Sequence, residues 1–390
     1  MADNKDKKVL NVPALRFPEF SEEWKRIRVS DLLDFYSTNS LSWEQLEYES
    51  NELYNLHYGL IHVGLPTLVD LTKDELPSIK VDNVPKKYEL CKEGDVAFAD
   101  ASEDTNEVAK VVEFYNLDGK KVVCGLHTIH GRDNNEQTAK GFRGYCFSST
   151  AFHNQIRRIA QGTKIYSIST RNFSEVFVGL PSKSEQRKIA TLLKLIDDRI
   201  STQNKIIEKL ETLIKGIIET VISSQKPNTF IKDCLECNSS ILQESQVAEY
   251  GAFPVYGATG ITGYTEAADV NGESILIIKD GSGVGTVKYV TGEYSYIGTL
   301  NRLIAKDGYY LKYIYFALQG FSFEPYKTGM AIPHIYFKDY GKAKIYCPSY
   351  KLQYTISQQL TCIESKIDVE KRMLFDLLQQ KSYLLSHMFI

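Results

Sequence analysis

The chain contains no Pro-Pro step, no Gly-Lys-Ser and no Gly-Lys-Thr, and none of its 11 prolines is followed by aspartate. The first absence removes the signature loop of amino-methyltransferases. The second removes the backbone cradle and lysine that hold a triphosphate. The third weakens a common nuclease motif, so a catalytically empty chain is expected. No apolar run reaches the ~20 residues needed to cross a bilayer. The charged start, Met1 to Lys8, has no apolar segment behind it of the kind a secretory signal carries, so a cytoplasmic protein is expected. Neither sign of charge dominates: 46 Lys and Arg stand against 49 Asp and Glu, for a net charge of −3. A nucleic-acid partner must therefore be sought in local charge rather than in composition.

Cysteine is sparse and without a framework. The seven are Cys91, Cys124, Cys146, Cys234, Cys237, Cys347 and Cys362, an odd number that reads as reduced thiols. Cys234 and Cys237 have the spacing of half a zinc site but no second Cys/His pair nearby, so they read as core cysteines. The seven histidines do not cluster, and His127 and His130 read as a strand face and its edge. No metal site is expected. Gly281-Ser282-Gly283-Val284-Gly285 fails the spacing of a dinucleotide fingerprint and reads as a strand-connecting turn, while Gly257, Gly260 and Gly263 punctuate a loop.

What is present is ample core and a repeat. The 390 residues are 43% hydrophobic, enough for two or three domains. Tyrosine is frequent, 25 against 18 phenylalanines, which suits half-buried strands and wet interfaces. Residues 1–16 are polar, and Phe17-Pro18-Glu19-Phe20 with Trp24 forms an anchored entry. Short β-like runs follow, among them Gly94 to Phe98 and Lys120 to Val123, with a helix expected over Thr150 to Gln161. A second strand-rich stretch holds Ser274 to Ile278, Val284 to Val290, Tyr294 to Ile297 and Asn301 to Ala305.

Pro181-Ser182, Gln186 and the series Ile189, Leu193, Ile196, Ile200, Ile207, Leu210, Ile214, Ile217, Val221 recur 167 positions on, from Pro348. There the chain reads Pro348-Ser349, Gln353, Ile356, Leu360, Ile363, Ile367, Leu374, Leu377, a polar Lys381, Leu384 and Met388. The same offset pairs Gly162 with Gly329, Ile165 with Ile332 and Ile168 with Ile335, which heptad periodicity alone does not explain. Steps of four and three predict two long helices, each packing along one partner as in a coiled coil. The order of head, helix, head, helix makes an antiparallel pair simplest, returning the C-terminus to the first head. About 39 residues at ~1.5 Å each give a rod of roughly 55–60 Å. Ser182 and Glu185 have capping-box spacing, whereas Leu352 removes the reciprocal half behind Ser349. Gln203 and its counterpart Glu370 interrupt the seam, read as a solvated kink in preference to a buried register-setting pair.

These features resemble the specificity subunit of Type I restriction-modification enzymes over nearly the whole chain. The carrying residues are Gly162-Thr163-Lys164-Ile165 through Leu180-Pro181-Ser182 and Glu185-Gln186 to Ile189, their echo from Gly329 through Ile335 to Cys347-Pro348-Ser349 and Gln353, and the opening Val12 to Pro18 with Trp24. The resemblance implies an α+β fold with two target recognition domains, residues 1–180 (with an N-terminal arm) and 226–347. They are separated by antiparallel spacer helices, 181–225 and 348–390, related by a pseudo-two-fold repeat. It implies a DNA reader with a bipartite double-stranded target, without catalysis or cofactor of its own. Two modification subunits carrying S-adenosylmethionine would methylate adenine, and restriction subunits could join. Pro181, Glu185, Gln186, Ile189, Pro348, Gln353 and Ile356 would dock those partners. Lys351-Leu352 replaces Ser184-Glu185 in the second copy, which points to unequal docking.

Residues suited to DNA are then basic or polar groups on loops: cation clusters for phosphates, and for base edges Arg or Lys to guanine, Asn or Gln to adenine and other polar donors and acceptors. In the first domain these are Asn106, Lys110, His127, Arg157, Arg158, Gln161, Thr163, Lys164, Tyr166, Ser169 and Arg171, with Glu175 opposing the cluster. In the second they are Lys279, Ser282, Asn301, Arg302, Lys327, Thr328 and His334, with Lys338, Lys342 and Lys344 as further cations opposed by Asp339. The alternative for each is ordinary solvated surface. The alternative for the whole is a coiled-coil scaffold with two heads that bind non-DNA ligands, and a self-sufficient enzyme ranks third.

Overall fold

Runs such as Val96-Ala97-Phe98-Ala99 and Ser274-Ile275-Leu276-Ile277-Ile278 carry no polar alternation because both faces of the strands they form are covered. The computed structural model describes residues 11–49, 52–329 and 331–390. The charged start Met1 to Lys8 therefore lies outside the described residues. The chain divides into two units, Met1–Gln203 with Met373–Ile390, and Asn204–Arg372.

In the first unit a five-stranded sheet runs in the order Asp34–Tyr36, Thr128–Arg132, Val96–Ala99, Val111–Asn116, Leu68–Asp70, antiparallel except for its last pair. A four-stranded sheet orders Lys121–Cys124, Leu53–Leu56, Ser78–Ile79 and Leu46–Glu47. One core joins the first sheet to helix Thr150–Ile159, whose Ser149 cap accepts from the Phe152 N–H and whose buried face is Phe152 and Ile156. That face leaves Arg157 and Arg158 in solvent. In the second unit one antiparallel sheet orders Leu235–Ser239, Leu300–Ala305, Ser274–Ile278 and Val287–Val290, beneath helix Leu311–Gln319. The other orders Gly260–Thr265, Phe253–Gly257, Glu293–Tyr296 and Val270–Asn271.

The two long helices are Lys183–Ile217 and Tyr350–His387. They run antiparallel: Asp197 pairs with Lys381 in the first unit and Glu211 with Lys371 in the second, both at 2.7 Å. Ile189, Leu193 and Ile196 share the first unit's core with Leu384, Met388 and Phe389. The Leu15 N–H also donates to the His387 carbonyl at 2.8 Å, so the C-terminus does return to the first head. Among the described residues, no helix is long and apolar enough to cross a membrane.

Three local expectations change. The seam does not follow Ile217 and Val221, because residues Ile218–Ser223 form a π-helical turn. Its wider winding carries the buried face to Ile218 and Ile222 and leaves Val221 exposed. Gln203 and Glu370 are not a solvated kink: both are buried, and Glu370 is held by Lys366 one turn earlier. The capping box is half made. The Glu185 N–H reaches Ser182 Oγ at 3.4 Å, but the Glu185 carboxylate faces elsewhere.

The repeat is visible in bonds as well as sequence. Strand Lys25–Arg28 pairs with Phe177–Leu180 in one unit, and Thr229–Phe230 pairs with Lys344–Ile345 in the other. The bond from the Val29 N–H to the Val176 carbonyl recurs from Ile231 to Ala343, at 2.8 and 2.9 Å.

Candidate nucleic-acid interface

Gly162 and Gly329 each open a short turn closed by a two-way backbone exchange. Gln161 and Ser167 bond to each other at 2.9 and 2.8 Å, as do Thr328 and His334. The two glycines have φ of +143° and +90°, and a Cβ on them would sit 1.9 Å from the Ile165 carbonyl oxygen and 2.3 Å from that of Ile332. Only glycine lets the turn close this tightly. The closure lifts an isoleucine out of each unit, Ile165 at 62% and Ile332 at 65% exposure.

A second segment lies beside each turn. The Ile168 N–H donates to the Asp100 carbonyl and Tyr166–Ser167 pairs with Ala101–Ser102. In the second unit the Ile335 N–H donates to the Lys279 carbonyl, and the Gly281 N–H donates to the Pro333 carbonyl, both at 2.9 Å. The glycine run 281–285 is therefore a turn docked against the Gly329 turn, as its failed fingerprint spacing suggested.

Around the first turn the structure places Gln161, Thr163, Lys164, Ser169 and Arg171 in solvent, with Tyr166 half-buried. Arg157 donates to Asn106 Oδ1 at 2.7 Å, and both are exposed. His127 is exposed with a φ of +54° and its Nδ1 lies 3.2 Å from Asp100 Oδ1. Lys110 is drawn inward, its ammonium donating to the His62 carbonyl at 2.9 Å and pairing with Glu107. Ser169 uses its hydroxyl to accept from the Asn172 N–H as a helix cap. Glu175 does not oppose the basic cluster; it pairs with Arg28. Arg158 is free of such ties on an exposed helix face.

Around the second turn Ser282 and Thr328 are exposed, and Lys279, Lys327 and His334 are half-buried. Lys327 pairs with Glu324, and the His334 ring packs against Tyr336 at 5.0 Å. Asn301 is a correction. It is buried inside a central strand, accepting from the Ser239 hydroxyl at 2.7 Å, so it stands behind the surface rather than on it. Its neighbour Arg302 donates to Ser274 Oγ at 2.7 Å. Lys338 and Lys344 lie over the Tyr336 and Phe230 rings.

The expected docking residues are a larger correction, since most are consumed inside the chain. Gln186 accepts from the Ala139 N–H at 2.7 Å and donates to the Pro181 carbonyl at 2.9 Å. Gln353 does the same with the Tyr310 N–H and the Pro348 carbonyl, at 2.9 and 2.8 Å. Ile189 and Ile356 are buried seam residues, Pro181 is buried and Pro348 half-buried. Glu185, 1% exposed, takes a two-bond clamp from Arg16 at 2.7 and 2.8 Å and a third bond from Trp24 Nε1 at 3.3 Å. That clamp, more than opposing burial, raises the Arg16 pKa. It also explains the N-terminal motif: Arg16 and Trp24 anchor the arm to the helix start. Leu352, at the position of Glu185, is exposed.

The profile of the Type I restriction modification DNA specificity domain matches residues 72–212 and again 228–378. The chain belongs to that family. The two matches of the specificity domain follow the two units and their glycine turns. No curated protein gives a significant match. Among solved structures, the S subunit of a Type I restriction-modification system from M. genitalium is similar at a TM-score of 0.66 and 19% identity, over 97% of this chain and 99% of that one. A chain from work on complex assembly and conformational transition of the type I R-M system is similar at a TM-score of 0.55 and 14% identity, over 93% and 96%. Both likenesses concern the fold of this specificity chain.

Two features escaped the sequence reading. The arm clamp was hidden because Arg16 and Glu185 lie far apart in sequence. A group of side chains spaced to hold a metal was hidden because the fold brings the remote Cys91 to Cys124 and His130.

Proposed function

We propose that this chain is the cytoplasmic, non-catalytic sequence reader of a Type I restriction-modification complex, in which each unit reads one half of a bipartite double-stranded target. The observation that carries the reading is the pair of equivalent glycine turns. Each presents exposed polar groups and an isoleucine from a turn whose ends are closed by two backbone bonds, next to a second loop docked on it. A turn tied at its ends reaches base edges at lower cost in ordering than an open loop. Arg157, Arg158, Lys164 and Arg171 supply local positive charge for phosphates in the first unit, which a net charge of −3 does not supply globally. The differing residues after the two glycines, Thr163-Lys164 against Met330-Ala331, support different half-sites.

Methylation would be performed by modification subunits that bring S-adenosylmethionine. With Gln186 and Gln353 committed internally, docking falls to the outer faces of the long helices. Leu195 and Leu213 on the first helix and Phe375, Leu378 and Tyr383 on the second are large apolar side chains left in solvent, which supports a protein partner there.

The test is binding of the assembled complex to duplex DNA across a salt series. A phosphate-driven reader loses affinity steeply as salt rises, and Lys164→Ala should weaken binding evenly across sequences and flatten the log–log salt slope by about 0.9. Binding indifferent to salt would favour a head that takes a non-DNA ligand.

A further inference from the structure

Cys91 leads into strand Val96–Ala99, Cys124 ends strand Lys121–Cys124, and His130 lies on strand Thr128–Arg132 of the other sheet. Their side chains meet between the two sheets of the first unit. The sulfurs are 3.5 Å apart, and a ring nitrogen of His130 lies within 4.8 Å of both. All three residues are buried, at 6%, 1% and 0% exposure.

The histidine is held as a ligand is held. Its Nε2 lies 2.7 Å from Asp95 Oδ2, and that carboxylate is itself fixed by Arg132 Nε at 2.9 Å, Arg132 Nη2 at 2.8 Å and the Lys92 N–H at 2.9 Å. In the neutral imidazole, a carboxylate accepting from Nε2–H leaves the lone pair on Nδ1. Nδ1 is buried and has no hydrogen-bond partner, which is costly in an apolar interior unless something else uses it. A carboxylate behind one imidazole nitrogen, with the other left without a hydrogen-bond partner, is the arrangement that orients metal-bound histidines. Two thiolates bound to one tetrahedral Zn²⁺ at ~2.3 Å each lie ~3.8 Å apart, close to the separation of these sulfurs.

We propose that Cys91, Cys124 and His130 form a buried site for a thiophilic metal ion, Zn²⁺, supplying three of its four tetrahedral positions and leaving the fourth to a neutral water. Binding converts two thiols to thiolates and releases two protons, so the cation is neutralised by its own ligands, and neutral imidazole adds no charge. Such a centre tolerates burial where a bare cation would not. The ion ties one sheet to the other. It also brackets the turn 125–127, which carries the exposed His127 at its positive φ. The site rests on these side chains alone and is independent of what the unit reads.

The test uses the full chain, purified under reducing conditions, stripped with a chelator and titrated with Zn²⁺ against a chromophoric competitor while released protons are counted. One equivalent should bind with release of two protons per ion. Co²⁺ in its place should give a thiolate charge-transfer band and tetrahedral visible bands. Cys91→Ser and Cys124→Ser should each weaken binding by 100-fold or more, whereas Cys362→Ser, which removes an exposed thiol, should leave it unchanged. The site is overturned if the reduced wild-type chain binds no equivalent, or if Cys91→Ser/Cys124→Ser binds as the wild type does. It is also overturned if the chain yields a Cys91–Cys124 disulfide on anaerobic purification, the mark of a redox pair. Should the variants not fold, the Co²⁺ spectrum and proton count of the wild type decide.

Discussion

Gln186 and Gln353 hold the same two bonds, one pair in each unit, each amide bridging its helix start to the segment that precedes another helix of its head. A side chain that both donates and accepts can satisfy two orphan backbone groups at once. Its recurrence at the repeat offset was legible, but its purpose was not, because Ala139 and Tyr310 share no motif. Glu185 is the complementary case: it differs between copies because only the first helix start receives Arg16 and Trp24. Glu185→Gln keeps the shape and removes the charge, leaving a largely buried guanidinium unpaired. The first unit should lose about 2–3 kcal/mol, read as a lower thermal midpoint. Leu352→Glu at the exposed equivalent should stay within about 0.5 kcal/mol. Equal effects would mean that Glu185 is not the anchor.

Among elements, the long helices were legible through apolar periodicity and buried strands through short unbroken apolar runs, as in Ser274–Ile278, which matches the sequence reading end to end. The end of the first helix was not: heptad steps assume constant winding, and the π turn at Ile218–Ser223 changes it. Glycine turns were legible through the repeat, while the loops docked beside them depend on long-range pairing. Gly162→Ala and Gly329→Ala push a methyl into backbone that cannot retreat, so each should disorder one turn while its head stays folded. Discrimination between bases should then relax about 10-fold or more at one half-site and hold at the other, measured by binding to duplexes randomised in one half. Relaxation of both halves by either substitution would contradict separate readers.

For the molecule as a whole, the proposed function gives reading to the two heads and spacing and docking to the paired helices. Net charge and composition carried none of this. The matched glycine, proline, serine and glutamine positions carried most of it, because they mark backbone geometry that apolar periodicity alone leaves open. Inserting four residues into both long helices at matched heptad positions adds ~6 Å of rise, close to two base pairs at ~3.4 Å. The measurement that bears most directly on the account is a genome-wide map of methylated adenines, made with the wild-type chain and with this insertion, each co-expressed with the modification subunits. The account predicts a bipartite motif for the wild type, and the same two halves separated by about two more base pairs for the insertion. A continuous motif, an unchanged spacer or no adenine methylation dependent on the chain would contradict it.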